Sequence, residues 1–174
     1  MNAVTPKLLV SVGDPVVVLK VTGRANVSLS AAFKALVNEL RARGHQAFAL
    51  DLTECLVMDS TFLGVLAALG SQMSRGAEAG STCPIVLIEP NDRVRGLLDN
   101  LGVAGLFSVV RRPTNGASLQ FEEVKGAAAS SKLDTTRCCL EAHQFLMAIN
   151  PANIPKFRDV TAFVAGDLRK LEGG

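Results

Sequence analysis

A carboxylate followed by two hydroxyls, Asp59-Ser60-Thr61, stands where the pattern predicts a strand feeding a helix. Side-chain oxygens at such a junction accept from first-turn backbone N–H groups, which is the capping chemistry of Asp and Ser. The same orphan N–H groups and the positive end of the helix dipole also stabilise an added anion, so a phosphate on Ser60 would sit in a favourable field. Ser60 is thus the candidate phosphoacceptor and Thr61 the second choice. On the residues alone, cap and switch both fit.

Other chemistry finds less support. Ser60 lacks the Gly-x-Ser-x-Gly frame of a nucleophile elbow, no pattern ties His45 or His143 to it, and serine without a base is a weak nucleophile. No Gly-x-x-x-x-Gly-Lys-Ser/Thr loop is present. Catalysis is therefore not expected. Cys55, Cys83, Cys138 and Cys139 show no C-x-x-C spacing and read as buried or incidental thiols. Cys139 and His143, four residues apart, share a helix face. Two ligands do not make a structural zinc site, so His143 reads as a surface or packing residue and neither metal nor cofactor is expected. His45, next to Gly44 in a turn, reads as solvated.

The chain of 174 residues is 48% hydrophobic and 20% charged with a net charge of +2, the profile of one globular domain with room for an appendage. Aromatic residues make up only 5%, with no Trp or Tyr, so the core is aliphatic and base-stacking platforms are scarce. Nucleic acid is an unexpected partner. The longest largely apolar stretch, Phe62 to Gly70, is far shorter than the ~20 residues that span a bilayer, and the amino terminus lacks a basic segment followed by an apolar one. The expectation is a cytoplasmic protein with no membrane partner.

The elements that position Ser60 follow from periodicity. Leu8–Val12 and Val16–Val21 flank Gly13-Asp14-Pro15 as a hairpin, and Leu29, Phe33, Leu36, Val37 and Leu40 predict a helix opened by Ser28 and closed by Gly44. Strands are predicted at Gln46–Leu52, Pro84–Ile88 and Leu106–Val110. Helices are predicted from about Thr61 to Arg75, before a loop with Gly76 and Gly80, and from Asn91 to near Gly102. After the loop Arg111–Gly116, a helix is predicted around Leu119–Ala127, then a linker, Ala128–Lys132. Helices at Asp134–Ile149 and about Ile154–Leu171 follow. The second carries an apolar stripe of Ile154, Phe157, Val160, Phe163, Val164, Leu168 and Leu171, which needs either the domain or another subunit to cover it. Only Gly173-Gly174 reads as disordered. The fold class is α/β, a mixed sheet of four to five strands with packed helices over residues 1–128 and a helical C-terminal extension over 129–174.

With the elements in this order, Leu50-Asp51-Leu52 and Val57-Met58-Asp59-Ser60-Thr61-Phe62-Leu63-Gly64-Val65-Leu66 resemble the signature of the STAS domain family, the bacterial anti-sigma factor antagonists and related transporter domains. Leu19–Gly23, Pro90-Asn91-Asp92-Arg93-Val94 and Leu101–Phe107 extend the resemblance over about residues 6 to 125. It implies a non-catalytic partner switch in bacterial signalling. The unmodified antagonist binds an anti-sigma factor that is also a serine kinase, and phosphorylation of the serine after the Asp, here Ser60, releases it. ATP and Mg²⁺ belong to that kinase.

On the family pattern Asp51 ends a strand and bonds a loop, and Asn26, Asp59, Ser60, Thr61 and Phe62 form the partner-binding surface. Asn26 stands about where many phosphorylated members carry an acidic residue, and Phe62 replaces a small glycine, adding bulk beside the acceptor. The alternative is an unphosphorylated STAS scaffold in a signalling assembly, with the C-terminal helices building a homo-oligomer.

Overall fold

The computed structural model describes residues 4–76, 84–113, 118–127 and 130–174. Strands β1 (Lys7–Ser11) and β2 (Val16–Ala25) pair antiparallel, with Val10 opposite Leu19. Along β2, Val17, Leu19 and Val21 are buried while Val18, Lys20 and Thr22 are half-buried, the period-2 alternation of a strand with one well-covered face.

Helix α1 (Val27–Ala42) leads to β3 (Ala47–Asp51), and β4 (Cys55–Met58) leads to α2 (Ser60–Arg75). Then come β5 (Ile85–Ile88), α3 (Asp92–Asn100), β6 (Ser108–Val110) and β7 (Glu122–Glu123). The sheet order is β6-β5-β3-β2-β1-β7, with β4 pairing the far end of β2. Inner pairings are parallel and the β1 side is antiparallel. Leu29, Phe33 and Val37 of α1 and Phe62, Leu63 and Leu66 of α2 join Leu8, Leu19, Leu50 and Leu87 of the sheet in one core.

Several expectations need correction. Among the described residues the sheet has seven strands rather than four or five. Residues around Leu119–Ala127 are not a helix: Glu122 and Glu123 pair with Val10 and Leu9, and Val124 N–H donates to Leu8 O, because the open edge of β1 offers ladder partners that a short polar helix lacks. Helix α1 is opened by Asn26 rather than Ser28, its Oδ1 accepting from Leu29 N–H at 3.3 Å. Gly173 belongs to the last helix. Gly80, Cys83, the end of the Arg111–Gly116 loop and positions 128 and 129 of the linker lie outside the described residues.

The C-terminal extension is a hairpin. Helix α4 (Lys132–Ile149), capped by Ser131, packs on α2 and α1, and a 3-10 turn (Pro151–Asn153) sends α5 (Ile154–Gly173) back along α4, with Arg137 near the start of α4 bonding Glu172 near the end of α5. The apolar stripe of α5 divides. Phe157, Val164, Leu168 and Leu171 are half-buried at heptad-like spacing, whereas Ile154, Val160 and Phe163 are exposed, Phe163 by 70%.

Candidate functional site

Parallel pairing sets Ala25 of β2 beside Met58 of β4, so α1 and α2 start at the same edge of the sheet. Asp59 fastens both starts. Its Oδ1 accepts from Phe62 N–H at 2.8 Å as the α2 cap, its Oδ2 accepts from Val27 N–H at 2.8 Å in the first turn of α1, and its own N–H donates to Ala25 O at 2.9 Å. Burial pushes the Asp59 carboxyl up, against the backbone donors and the nearby His143, which favour the anion.

Ser60 is the first residue of α2, with its side chain directed at α4: Oγ lies 2.8 Å from His143 Nε2. Thr61 Oγ1 donates to Cys139 Sγ at 3.5 Å, and Cys139 Sγ lies 3.5 Å from His143 Nδ1. The ring also meets the backbone of Cys139, a contact that favours its protonated form. A hydroxyl both donates and accepts, so Ser60 Oγ can pair with Nε2 in either tautomer of the neutral ring. The ring stacks at a tilt on Phe157 of α5, with centroids 4.8 Å apart. Burial holds the imidazole below its ordinary value, although Cys139 and Asp59 pull the other way.

Of the expected surface residues, Asn26, Asp59 and Ser60 are half-buried, and Thr61 is buried beneath Cys139. Phe62 points inward, fully buried against Phe33 with ring centroids 4.9 Å apart, so it braces the site from beneath instead of adding bulk at the surface. His143 is the residue that sequence reasoning missed. It is buried with Nε2 2.8 Å from Ser60 Oγ, so of the surface and packing readings the structure selects packing. The shared face of Cys139 and His143 was the available signal, but nothing in the sequence said which surface that face would meet.

Asp51 accepts from Thr53 N–H and Oγ1 and from Arg112 Nη2 at 2.8 Å. Burial alone would raise its carboxyl, but these bonds outweigh it and the net shift is downward. It fastens a loop, as the family pattern implies. Cavities of about 530 Å³ between α1 and α4 and about 210 Å³ between α2 and α4 include neither Ser60 nor His143 in their linings. Among the described residues, no group of three His, Cys, Asp or Glu side chains is placed to hold a metal, and no helix is long and apolar enough to cross a membrane.

No family model and no curated relative matches the sequence. Solved structures do. The chain is similar to the NMR structure of the protein TM1081, at 23% identity and a TM-score of 0.51 over 59% of this chain and 78% of that one. A crystal structure of the Thermotoga maritima protein, a candidate anti-sigma factor antagonist, gives 23% identity and a TM-score of 0.51 over 60% and 86%. An anti-sigma factor antagonist from Mycobacterium paratuberculosis is similar at 21% identity and a TM-score of 0.49 over 64% and 88%. By its fold, the chain is a STAS-like α/β domain, here carrying a two-helix hairpin laid across α1 and α2.

Proposed function

We propose that this protein is a regulatory binding module of the anti-sigma factor antagonist type, which binds an anti-sigma factor or related serine kinase and is switched by phosphorylation of Ser60. The observation that carries this reading is the position of Ser60 on the first turn of α2, next to the first turn of α1, with Asp59 holding both. In the reaction, the Ser60 Oγ–P bond forms as the γ-phosphoryl bond of the kinase's ATP breaks. ADP leaves, and the hydroxyl proton passes to the kinase's base. The product adds about 1.5–2 negative charges and three acceptor oxygens at a helix N-terminus, favourable for the modified chain and adverse to a packed interface.

The test is tandem mass spectrometry of the protein from its native cells under growth and stress. Phosphate on Ser60 that varies with condition supports the switch; full peptide coverage without it removes the switch. With a partner in hand, Ser60→Asp should weaken binding and Ser60→Ala retain it. Equal binding by all three forms would reject the model.

A second reading, an unphosphorylated scaffold that oligomerises through its extension, is favoured by exposed Val160 and Phe163 on α5. Solution mass that falls when Phe163 is replaced by Glu would select it.

A further inference from the structure

The hairpin occupies the surface that a kinase must reach. Phosphoryl transfer needs the serine oxygen free for in-line approach, yet Ser60 Oγ is engaged by His143 and Thr61 is buried under Cys139. One turn further along α2, Gly64 provides a notch for α4: a Cβ there would lie 2.7 Å from both Cβ and O of Ala142 and 2.9 Å from its carbonyl carbon. Gly is poor in a helix interior, so its occurrence opposite Ala142 fits close approach of the two helices.

The hairpin meets the domain mainly through one face of α4. Cys138, Ala142, His143 and Leu146 of α4 are buried, but no residue of α5 is, and exposed or half-exposed ion pairs, Lys34–Glu141 to α1 and Arg137–Glu172 within the hairpin, flank the seam. Exposed ion pairs of this kind hold a seam weakly, so the grip on α2 rests on the apolar face of Cys138, Ala142 and Leu146.

We infer that the α4–α5 hairpin is an autoinhibitory cover that masks Ser60 in cis, and that the serine becomes available to a partner only when α4 lifts from α2. This rests on Ser60 being the regulated residue, but the masking is measurable without any kinase. The probe is N-ethylmaleimide acting on full-length Ser60→Cys, with modification at position 60 followed by peptide mass spectrometry. Labelling should be slow in the single variant and at least tenfold faster when Gly64→Ala or Ala142→Glu is added, one wedge from each side of the seam.

Hydrogen exchange in β3 and β5 establishes that the sheet stays folded in each variant. Labelling at position 60 as fast in the single variant as in either wedged form, with the sheet protected, overturns the proposal. Loss of sheet protection on wedging also overturns it, because the hairpin would then be part of the domain's fold and not a separable cover. Failure of the phosphorylation reading looks different: position 60 unmasks on wedging, but native cells place no phosphate on Ser60 even in the wedged protein.

Discussion

Asp59 Oδ2 accepts from the backbone N–H of Val27 at 2.8 Å, so one carboxylate caps α2 and tethers the start of α1, 32 positions earlier in the chain. Removing it orphans two donors in a partly buried place. Asp59→Ala is expected to cost about 2–3 kcal/mol, from a lost cap and a lost charge-assisted bond. Asp59→Asn, which keeps one acceptor, should cost less. Urea titrations of the variants check both, and a loss below about 0.5 kcal/mol for Asp59→Ala would mean that water replaces the carboxylate freely.

Thr61 Oγ1 and Cys139 Sγ, 3.5 Å apart, mark where a covalent lock fits. Thr61→Cys should form a disulfide with native Cys139 under mild oxidation, since the two side-chain heads already lie in contact. Mass spectrometry of the non-reduced digest identifies the cross-link. Oxidation should raise the protection of α4 amides and reduction should reverse it; no cross-link would mean that α4 does not rest on α2 in solution.

The strand-to-helix turn at Asp59-Ser60, the cap at Asn91 and the α3 face of Val94 and Leu98 were legible because each is written in local residue order. What lay beyond reading is long-range. Glu122–Glu123 became a strand only because the β1 edge was free to pair with it, and no local period encodes that. His143 reads as an ordinary helical residue until α4 is laid across α2, 83 positions from its partner Ser60. Gly64 and Ala142 are informative only as a pair, and their complementarity is invisible to one-dimensional spacing.

The buried imidazole makes the hairpin sensitive to acid. His143 is held below its ordinary value of about 6.5 by burial, so between those two values the unfolded chain binds a proton that the folded one does not. Stability from this group is therefore lost as pH falls below about 6.5 and regained as it rises. Among the described residues, the groups around the ring are Ser60 and Asp59 from the α2 start, Cys139 on its own helix and Phe157 from α5; Asp59 offers an opposing charge, and burial outweighs it. Asp59 has the opposite slope: its carboxyl is raised by burial, so its contribution is full below the ordinary carboxylate value and is lost as pH rises through its folded value. Urea midpoints at about pH 5 and about pH 7.5 should differ in favour of the higher pH, with the difference shrinking in His143→Gln. An unchanged difference would assign the slope to other groups.

At the far end of β3, the Asp51 carboxylate depends more on Thr53 than on Arg112. The guanidinium is 54% exposed at its side chain, so its 2.8 Å bond is screened, whereas Thr53 gives both N–H and O–H. Arg112→Ala should cost no more than about 1 kcal/mol and Asp51→Ala about 1–3 kcal/mol, as the turn donors lose their acceptor. Because the Asp51 carboxyl is lowered overall, its contribution is present above the ordinary carboxylate value and is lost as pH falls through its folded value. Denaturation curves of the two variants near neutral pH decide the order; equal losses would make the ion pair the main support.

Asn153 is the clasp at the closed end of the hairpin. Buried at the 3-10 turn, its Nδ2 donates to Leu101 O at 2.9 Å and to Leu146 O at 2.8 Å, joining the end of α3 to α4, while Lys156 Nζ bonds Asn100 O nearby. Among the described residues, Asn153→Ala leaves Leu101 O with the long 3.5 Å contact from Asn150, at a cost of about 1–3 kcal/mol. If the hairpin is a separate cooperative unit, that cost falls on it alone: hydrogen exchange should quicken through α4 and α5 and stay unchanged in β3 and β5. Exchange that quickens equally in the sheet would mean that hairpin and domain open together, and Ser60 would then be exposed only by unfolding.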